Sequence, residues 1–241
     1  MSDKASGRAV TVGPGSDAIA DVEGFMAPER LNTLSDGVFA IALTVLTFDV
    51  VAAATGGADD VSLQQHLQQQ WPTLVAYAIG FMTILVCWVN HHFVFGFVRR
   101  SDAGLLWVNG VQLALVALVP FPTAVLAAYM TGDAQDRRTA LLCFGVVFFL
   151  IATSFWMLWR YVDRRGLIDA HIDPIKARGI GVGYGLASLW TVGCLLVALV
   201  SVIPALVMWT LMFLVFAVPA RFSQVTGRRL SGPTPTPRST Q

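Results

Sequence analysis

Two clusters of polar side chains interrupt apolar stretches of this 241-residue chain. Ser35 and Asp36 open the first stretch, and Asn90, His91 and His92 stand in the second. A carboxylate within an apolar span is energetically costly and normally pairs with a group inside the protein. The residues at similar depth that could pair with Asp36 are Arg30, His91, His92 and Asn109. We therefore expect these polar groups to form a structural hydrogen-bond network.

The adjacent histidines do not predict a metal centre. Neighbouring residues on a helix point about 100° apart, so His91 and His92 cannot hold one ion together from the same side. The other two histidines, His66 and His171, fall between the apolar stretches, so a haem or quinone enzyme is not expected. A hydrogen-bonded structural role is the default for at least one of the pair. Proton sensing is the alternative, because histidine titrates near neutrality.

The composition is that of a chain which mostly avoids water. Hydrophobic residues make up 55% and charged residues 13%, about half of the ~25% charge typical of soluble domains. Sixteen basic and fifteen acidic residues nearly cancel, which leaves no positive field for a nucleic acid. Three cysteines without CxxC spacing exclude a disulfide scaffold and a zinc pattern. The composition predicts an integral membrane protein without a catalytic domain or a bound cofactor.

Six segments are long enough to cross a bilayer. A hydrocarbon core of about 30 Å needs about 20 apolar residues in a helix. The segments are residues 33–54, 72–98, 103–129, 139–159, 180–202 and 204–219, the third interrupted by Pro120-Phe121-Pro122. We predict an all-α protein with six transmembrane helices. Its membrane domain would cover residues 29–222, between a flexible tail at 1–28 and a disordered tail at 223–241.

The basic residues predict how the spans are oriented. Fourteen of the sixteen lysines and arginines flank one side of the predicted spans, and only Arg137 and Arg138 lie on the other. The positive-inside rule makes the fourteen-residue side cytoplasmic. Both termini are then cytoplasmic, which agrees with an even number of spans. We expect a multi-pass protein of the plasma membrane.

The first span carries an apolar stripe. At 100° per residue, Thr44, Val45 and Phe48 fall within about 60° of Ile41, whereas Asp36 falls at about 220°. Such a stripe is by default a lipid-facing or packing surface. A threonine hydroxyl on a helix, as at Thr44, usually bonds back to a carbonyl one turn earlier.

Three motifs in order resemble the endosomal and lysosomal potassium-channel family, in its prokaryotic single-repeat form. They read Arg30-Leu-Asn-Thr-Leu34-Ser35-Asp36 with a following Gly-Val-Phe-Ala-Ile, then Trp88-Val-Asn-His91-His92-x-x-Phe95, then Asn109-x-x-x-Leu113 with Pro120-Phe121-Pro122-Thr123. Leu34 stands where the family signature, Arg-x-x-x-Phe-Ser-Asp, has phenylalanine. Leucine keeps the apolar bulk of phenylalanine but lacks the ring.

The resemblance implies a potassium-preferring cation channel. Its subunits would assemble as homotetramers around a pore lined by the first helix, with side chains in place of a carbonyl selectivity filter. By position, Ile41 matches the hydrophobic gate and Thr44 the adjacent polar layer, near which potassium would pass transiently. Val45 and Phe48 would line the pore further out. Asp49 would form an acidic ring at the outer mouth, or is simply solvated at the membrane edge.

The same resemblance assigns a structural role to the signature residues. They are Arg30, Ser35, Asp36, Trp88, His91, His92 and Asn109. We expect Ser35 and Asp36 to hydrogen-bond to the second and third spans and to fix the rotation of the pore helix.

The expected partners are other copies of the chain and the lipid bilayer, with no nucleic acid and no small-molecule substrate. Three other functions stay open. A narrow hydrophobic constriction can also pass protons, so a proton-permeable channel is one alternative. A secondary cation transporter, which would saturate and couple gradients, is the second. A small structural membrane protein, which would move no ions, is the third.

Overall fold

A computed structural model of the protein describes residues 28–56, 62–170 and 172–216. Its helices are α1 (Pro28–Thr55), α2 (Leu63–Gln69), α3 (Trp71–Phe95), α4 (Ala103–Ala117), α5 (Pro120–Tyr129), α6 (Ala134–Arg164), α7 (Pro174–Val200) and α8 (Val202–Phe216). A single antiparallel bridge joins Val98 to Ile168. Within these ranges the chain is therefore helical, as predicted.

Within the described residues, five helical segments are long and apolar enough to cross a membrane: α1, α3, the α4–α5 pair, α6 and α7. The last helix, α8, has 15 described residues, which extend for about 22 Å. An all-helical protein with several membrane-spanning helices is thus confirmed. The predicted sixth span runs on to residue 219, and its last residues lie outside the described ranges. So do both predicted tails, apart from Pro28, which begins α1.

Several helices extend beyond the predicted spans. α1 begins at Pro28 rather than at residue 33, because proline suits the first helical turn and Glu29 complements the helix dipole there. α6 starts five residues before the predicted 139 and ends five after 159. Its start is capped by Asp133, whose carboxylate accepts from the amides of Gln135 and Asp136 at 2.8 Å. Apolar content predicts the membrane-buried part of a helix and misses such polar turns.

The helical hydrogen bonding of the third span changes where the sequence predicts an interruption. α4 ends at Ala117 and α5 begins at Pro120, since proline cannot donate a helical hydrogen bond. Val119 nevertheless keeps right-handed helical angles, and its amide bonds to the Val116 carbonyl at 3.1 Å. The two helices therefore form one span with a locally tightened turn.

The helices divide into two neighbouring groups. α1 packs on α3, α4 and α5, whereas α6 packs most extensively on α7 and α8 packs mainly on α7. Two apolar cores join the groups. One includes Phe39 and Trp159 and has side chains from α1, α3, α4, α6 and α7, and the other includes Phe144 and Trp209 and has side chains from α3, α5, α6, α7 and α8. The first helix is thus held from one side by the first group.

Two loops on the predicted cytoplasmic side are joined to each other. The Arg99 amide donates to the Leu167 carbonyl at 2.9 Å, and the Asp169 amide donates to the Phe97 carbonyl at 3.0 Å. Ion pairs reinforce the joint: Arg99 with Asp169 at 3.0 Å, and Arg165 with Asp102 at 3.3 Å. Burial alone would raise the pKa of Asp102. The hydrogen bonds that it accepts from Leu105, Tyr161 and Arg165 outweigh burial and lower the pKa of Asp102.

α3 lies close to α1 and α5 at Gly80. A Cβ on Gly80 would stand 2.7 Å from Oγ1 of Thr123 on α5 and 3.3 Å from a methyl of Leu46 on α1. The Thr123 hydroxyl donates to the Val119 carbonyl at 2.8 Å, which restricts its movement. Only a residue without a side chain lets the three helices meet here.

We predict that Gly80→Ala destabilises the protein by about 1–3 kcal/mol, because the added methyl overpacks the contact with Thr123. The measurement is the thermal unfolding midpoint in detergent. Gly110→Ala is the matched control, since a Cβ on Gly110 of α4 meets nothing within 4 Å, and its midpoint should hold or rise. Equal midpoints for the two variants would contradict the close approach.

Candidate functional site

Three buried side chains join α1, α3 and α4 through hydrogen bonds. The Asn109 amide nitrogen donates to the Ser35 hydroxyl at 3.1 Å. The Asn109 amide oxygen lies 2.8 Å from Nε2 of His91, and the Ser35 hydroxyl donates to the Leu31 carbonyl at 2.8 Å. All three side chains are fully buried. Ser35, His91 and Asn109 are called the anchor cluster below.

Each bond of the anchor cluster has a defined direction. An amide oxygen only accepts, so Nε2 of His91 carries the proton and donates it to Asn109. The His91 ring stacks on Phe95 with centroids 4.3 Å apart and lies 5.4 Å from the Phe39 ring. These aromatic contacts hold the imidazole in the orientation that the hydrogen bond needs.

The carboxylate of Asp36 is bound from α3 by a tryptophan. The Trp88 indole N–H donates to Asp36 at 2.9 Å. The partners expected for this carboxylate from the sequence were Arg30, His91, His92 and Asn109. Asp36 lies about 100° around α1 from Ser35, and this rotation takes it away from the anchor cluster and towards Trp88, one turn before His91.

Five of the seven signature residues therefore form two hydrogen-bonded groups, and two residues belong to neither group. The groups are the anchor cluster and the Asp36–Trp88 pair. Among the described residues, the side chains of Arg30 and His92 make no hydrogen bond, and both residues are exposed. The His92 ring lies 6.0 Å from the Trp88 ring. The structural roles expected for Arg30 and His92 remain predictions.

Among the described residues, the side of α1 away from the anchor cluster is left uncovered by the other helices. Buried residues recur along one side of α1: Leu31, Ser35, Phe39, Ala42 and Leu46. On the other side, Ile41 is 65% exposed and Phe48 is 70% exposed. The open face of α1 is defined here as Leu34, Ile41, Thr44, Val45 and Phe48, which are all exposed.

Thr44 is the polar residue at the centre of the open face. Its hydroxyl donates to the Ile41 carbonyl at 2.8 Å, which is the local bond usual for threonine on a helix. Because the proton is engaged, the oxygen keeps lone pairs that can face a cation. Within the described ranges no three His, Cys, Asp or Glu side chains are placed to hold a metal ion. The half-buried Asp49 lies near the end of α1 that is predicted to be outside.

Two further polar residues tie helices together, and the sequence did not single them out as site residues. The Asn90 amide donates to the carbonyls of Val86 at 2.8 Å and Phe216 at 3.0 Å, and its oxygen accepts from the Tyr184 hydroxyl at 3.3 Å. The buried His66 on α2 bonds through Nε2 to the Ala53 carbonyl at 3.0 Å. A polar residue inside an uncharged span was the signal available for Asn90.

Comparison with known proteins bears on the identity of this site. Residues 30–120, which contain α1, α3, α4 and the anchor cluster, match the family described as the endosomal/lysosomal potassium channel TMEM175. A potassium channel of Streptomyces collinus is 38% identical over 161 residues, which are 66% of this chain and 77% of that protein. The chain belongs to this family. The family predicted from the motifs is therefore confirmed.

A solved structure and an animal relative extend the comparison. The crystal structure of a lysosomal potassium-selective channel TMEM175 homolog from Chamaesiphon minutus matches with a TM-score of 0.66 and 30% identity. The match covers 83% of this chain and 97% of that one. The endosomal/lysosomal proton channel TMEM175 of Bos taurus is 29% identical over 171 residues, and the match spans only 36% of its length.

We predict that Asn109→Leu destabilises the folded protein by about 1–3 kcal/mol, because His91 and Ser35 each lose a buried partner. The measurement is the thermal unfolding midpoint of the purified protein in detergent. Gln112→Leu is the matched control on the same helix. Gln112 is equally buried, yet its amide has no partner among the described residues, so its replacement should be neutral or stabilising. Equal losses in the two variants would contradict the role of Asn109.

Proposed function

We propose that this chain is the subunit of a homotetrameric, potassium-preferring cation channel whose pore is lined by the open face of α1. One observation carries the proposal. α1 is bound to α3 and α4 by its buried side, while Ile41, Thr44, Val45 and Phe48 remain exposed on the other. The potassium-channel names of the bacterial relatives support the choice of ion.

The open face offers a surface on which copies of the chain could assemble. An apolar helix face that meets nothing in its own subunit is covered by lipid or by other copies of the chain. Placing four copies of α1 around one axis would bring the open faces together and enclose a path between them. The apolar side chains Ile41 and Phe48 would then narrow that path, and Leu34 would lie at its predicted cytoplasmic end.

The spacing of Ile41 and Thr44 suggests how such a path would select and gate. The two residues are three positions apart, so their rings would lie about 4.5 Å apart along the axis. A ring of isoleucines would exclude water and close the path by dewetting. Four Thr44 oxygens, each with its proton bonded to a backbone carbonyl, would replace part of the hydration of a potassium ion. Asp49 would concentrate cations at the outer mouth.

The proposed topology has six spans, with both termini in the cytoplasm and the protein in the plasma membrane. The strong bias of basic residues to one side supports this orientation. The sixth span would consist of α8 and the residues that follow it. The chain would work by conduction alone, without catalysis or a bound cofactor, and potassium would be its permeant species.

Proton permeation is the second candidate function. It is favoured by the bovine relative, which is named a proton channel. A dewetted constriction that stops hydrated potassium can still transmit protons along a transient file of water. Measuring flux with separate potassium and proton gradients distinguishes the two.

We predict that Ile41→Ala raises potassium flux severalfold in proteoliposomes, because shortening the side chain widens the constriction. Thr44→Ala should lower the preference for potassium over sodium, since it removes the hydroxyl ring. Ile203→Ala is the matched control: Ile203 is 74% exposed but lies on α8, away from the proposed pore, so its flux should equal wild type. Flux unchanged by both α1 substitutions would place the pore elsewhere.

A further inference from the structure

A groove between α6 and α7 lies at the end of these helices that carries arginines. Its volume is about 420 Å³. Arg160 and Arg164 stand one turn apart on α6, and Arg178 stands one turn into α7. The three guanidinium groups and one carboxylate, Asp163, line the groove. The groove therefore has two positive charges that its own acid does not balance.

These arginines differ from others at the same end of the molecule. Arg99 and Arg165 are each paired with an aspartate across the two joined loops. Within residues 28–56, 62–170 and 172–216, by contrast, Arg160, Arg164 and Arg178 form no ion pair, and all three are exposed. Arg160 lies over the Trp156 ring, with 5.9 Å between its guanidinium carbon and the centroid. The groove thus presents guanidinium groups that are available to an anion.

The other end of the groove is apolar, and two glycines of α7 pack there against tryptophans of α6. A Cβ on Gly181 would stand 3.0 Å from the Trp159 ring, and one on Gly185 would stand 3.2 Å from the Trp156 indole nitrogen. The glycines therefore let the α7 backbone lie against two tryptophans, and Val182, half-exposed, borders the channel that remains. The lining of the groove is charged near Arg164 and apolar near Gly185.

We propose that this basic groove binds an anionic phospholipid of the cytoplasmic leaflet. The phosphate would lie between the guanidinium groups, which bind phosphate oxygens in pairs. An acyl chain would run along Trp156 and Val182 towards the membrane interior. Basic pockets between spans on the cytoplasmic side suit such headgroups. Assignment to that leaflet depends on the topology proposed above, whereas the binding site itself depends only on the groove.

The site is separate from the proposed pore. α1 packs on α3, α4 and α5, while the groove is formed by α6 and α7 alone. Substitutions in the groove can therefore be tested without altering the open face of α1.

The test is lipid binding to the full chain, measured by native mass spectrometry in detergent during titration with dioleoylphosphatidylglycerol or dioleoylphosphatidylcholine. Arg160→Gln with Arg178→Gln should weaken binding of phosphatidylglycerol by about fivefold for each arginine removed. Arg30→Gln with Arg100→Gln removes the same charge from exposed positions at the same end of the molecule and should leave the affinity unchanged. Val182→Trp fills the apolar end and should weaken binding without any change in charge.

Three results would overturn the proposal. The first is equal binding of phosphatidylcholine and phosphatidylglycerol. The second is an affinity for phosphatidylglycerol that does not differ between the groove variants and wild type. A loss of affinity in the control with Arg30→Gln and Arg100→Gln that equals the loss in the groove variants counts in the same way. The third is displacement of the lipid by glycerol phosphate at concentrations similar to those of the lipid, which would indicate a site for soluble phosphate compounds instead.

Discussion

The buried amide of Asn109 is the contact on which the arrangement of the first helix depends. A bilayer offers no water to polar groups, so a buried hydroxyl, amide and imidazole must satisfy one another. Asn109 does this for Ser35 and His91 at once, and each of the three comes from a different helix. Turning α1 by one residue would rotate Ser35 by about 100° and leave the amide nitrogen of Asn109 without its acceptor. One small polar cluster thus defines the rotation of α1.

Defining that rotation also determines which side of α1 stays open. The anchor cluster and Phe39 take the buried side, and the Trp88–Asp36 hydrogen bond adds a second attachment near the same end. Only 17% of the apolar window of α1 is buried within the subunit, against 56% for α6. A helix that is bound so specifically and yet covered so little is positioned for contacts outside its own subunit. This imbalance supports the proposal that the open face borders a pore between copies of the chain.

Periodicity and composition predicted the parts of this architecture that depend on single helices. The helical character, the membrane-spanning segments and the placing of Ile41 on the side away from Ser35 all follow from 3.6-residue spacing and apolar length. The Trp88–Asp36 bond joins residues 52 positions apart, and nothing in the local pattern of either helix specifies that pairing. The short helix α2 and the two joined loops depend on polar caps and long-range contacts, which hydropathy does not report. A pore along the open face would require contacts between copies of the chain, and the residue pattern of one helix does not specify such contacts.

Cysteine accessibility tests the central claim, that the open face of α1 borders water and not lipid. In a background with Cys87, Cys143 and Cys194 replaced by alanine, Ile41→Cys and Leu189→Cys would be treated with a charged, water-soluble thiol reagent in proteoliposomes. Leu189 lies near the middle of α7 and is 66% exposed, against 65% for Ile41. The account predicts that the cysteine at position 41 is modified with a change in potassium flux, while the one at 189 is protected by lipid. Modification at 189 with none at 41 would contradict it.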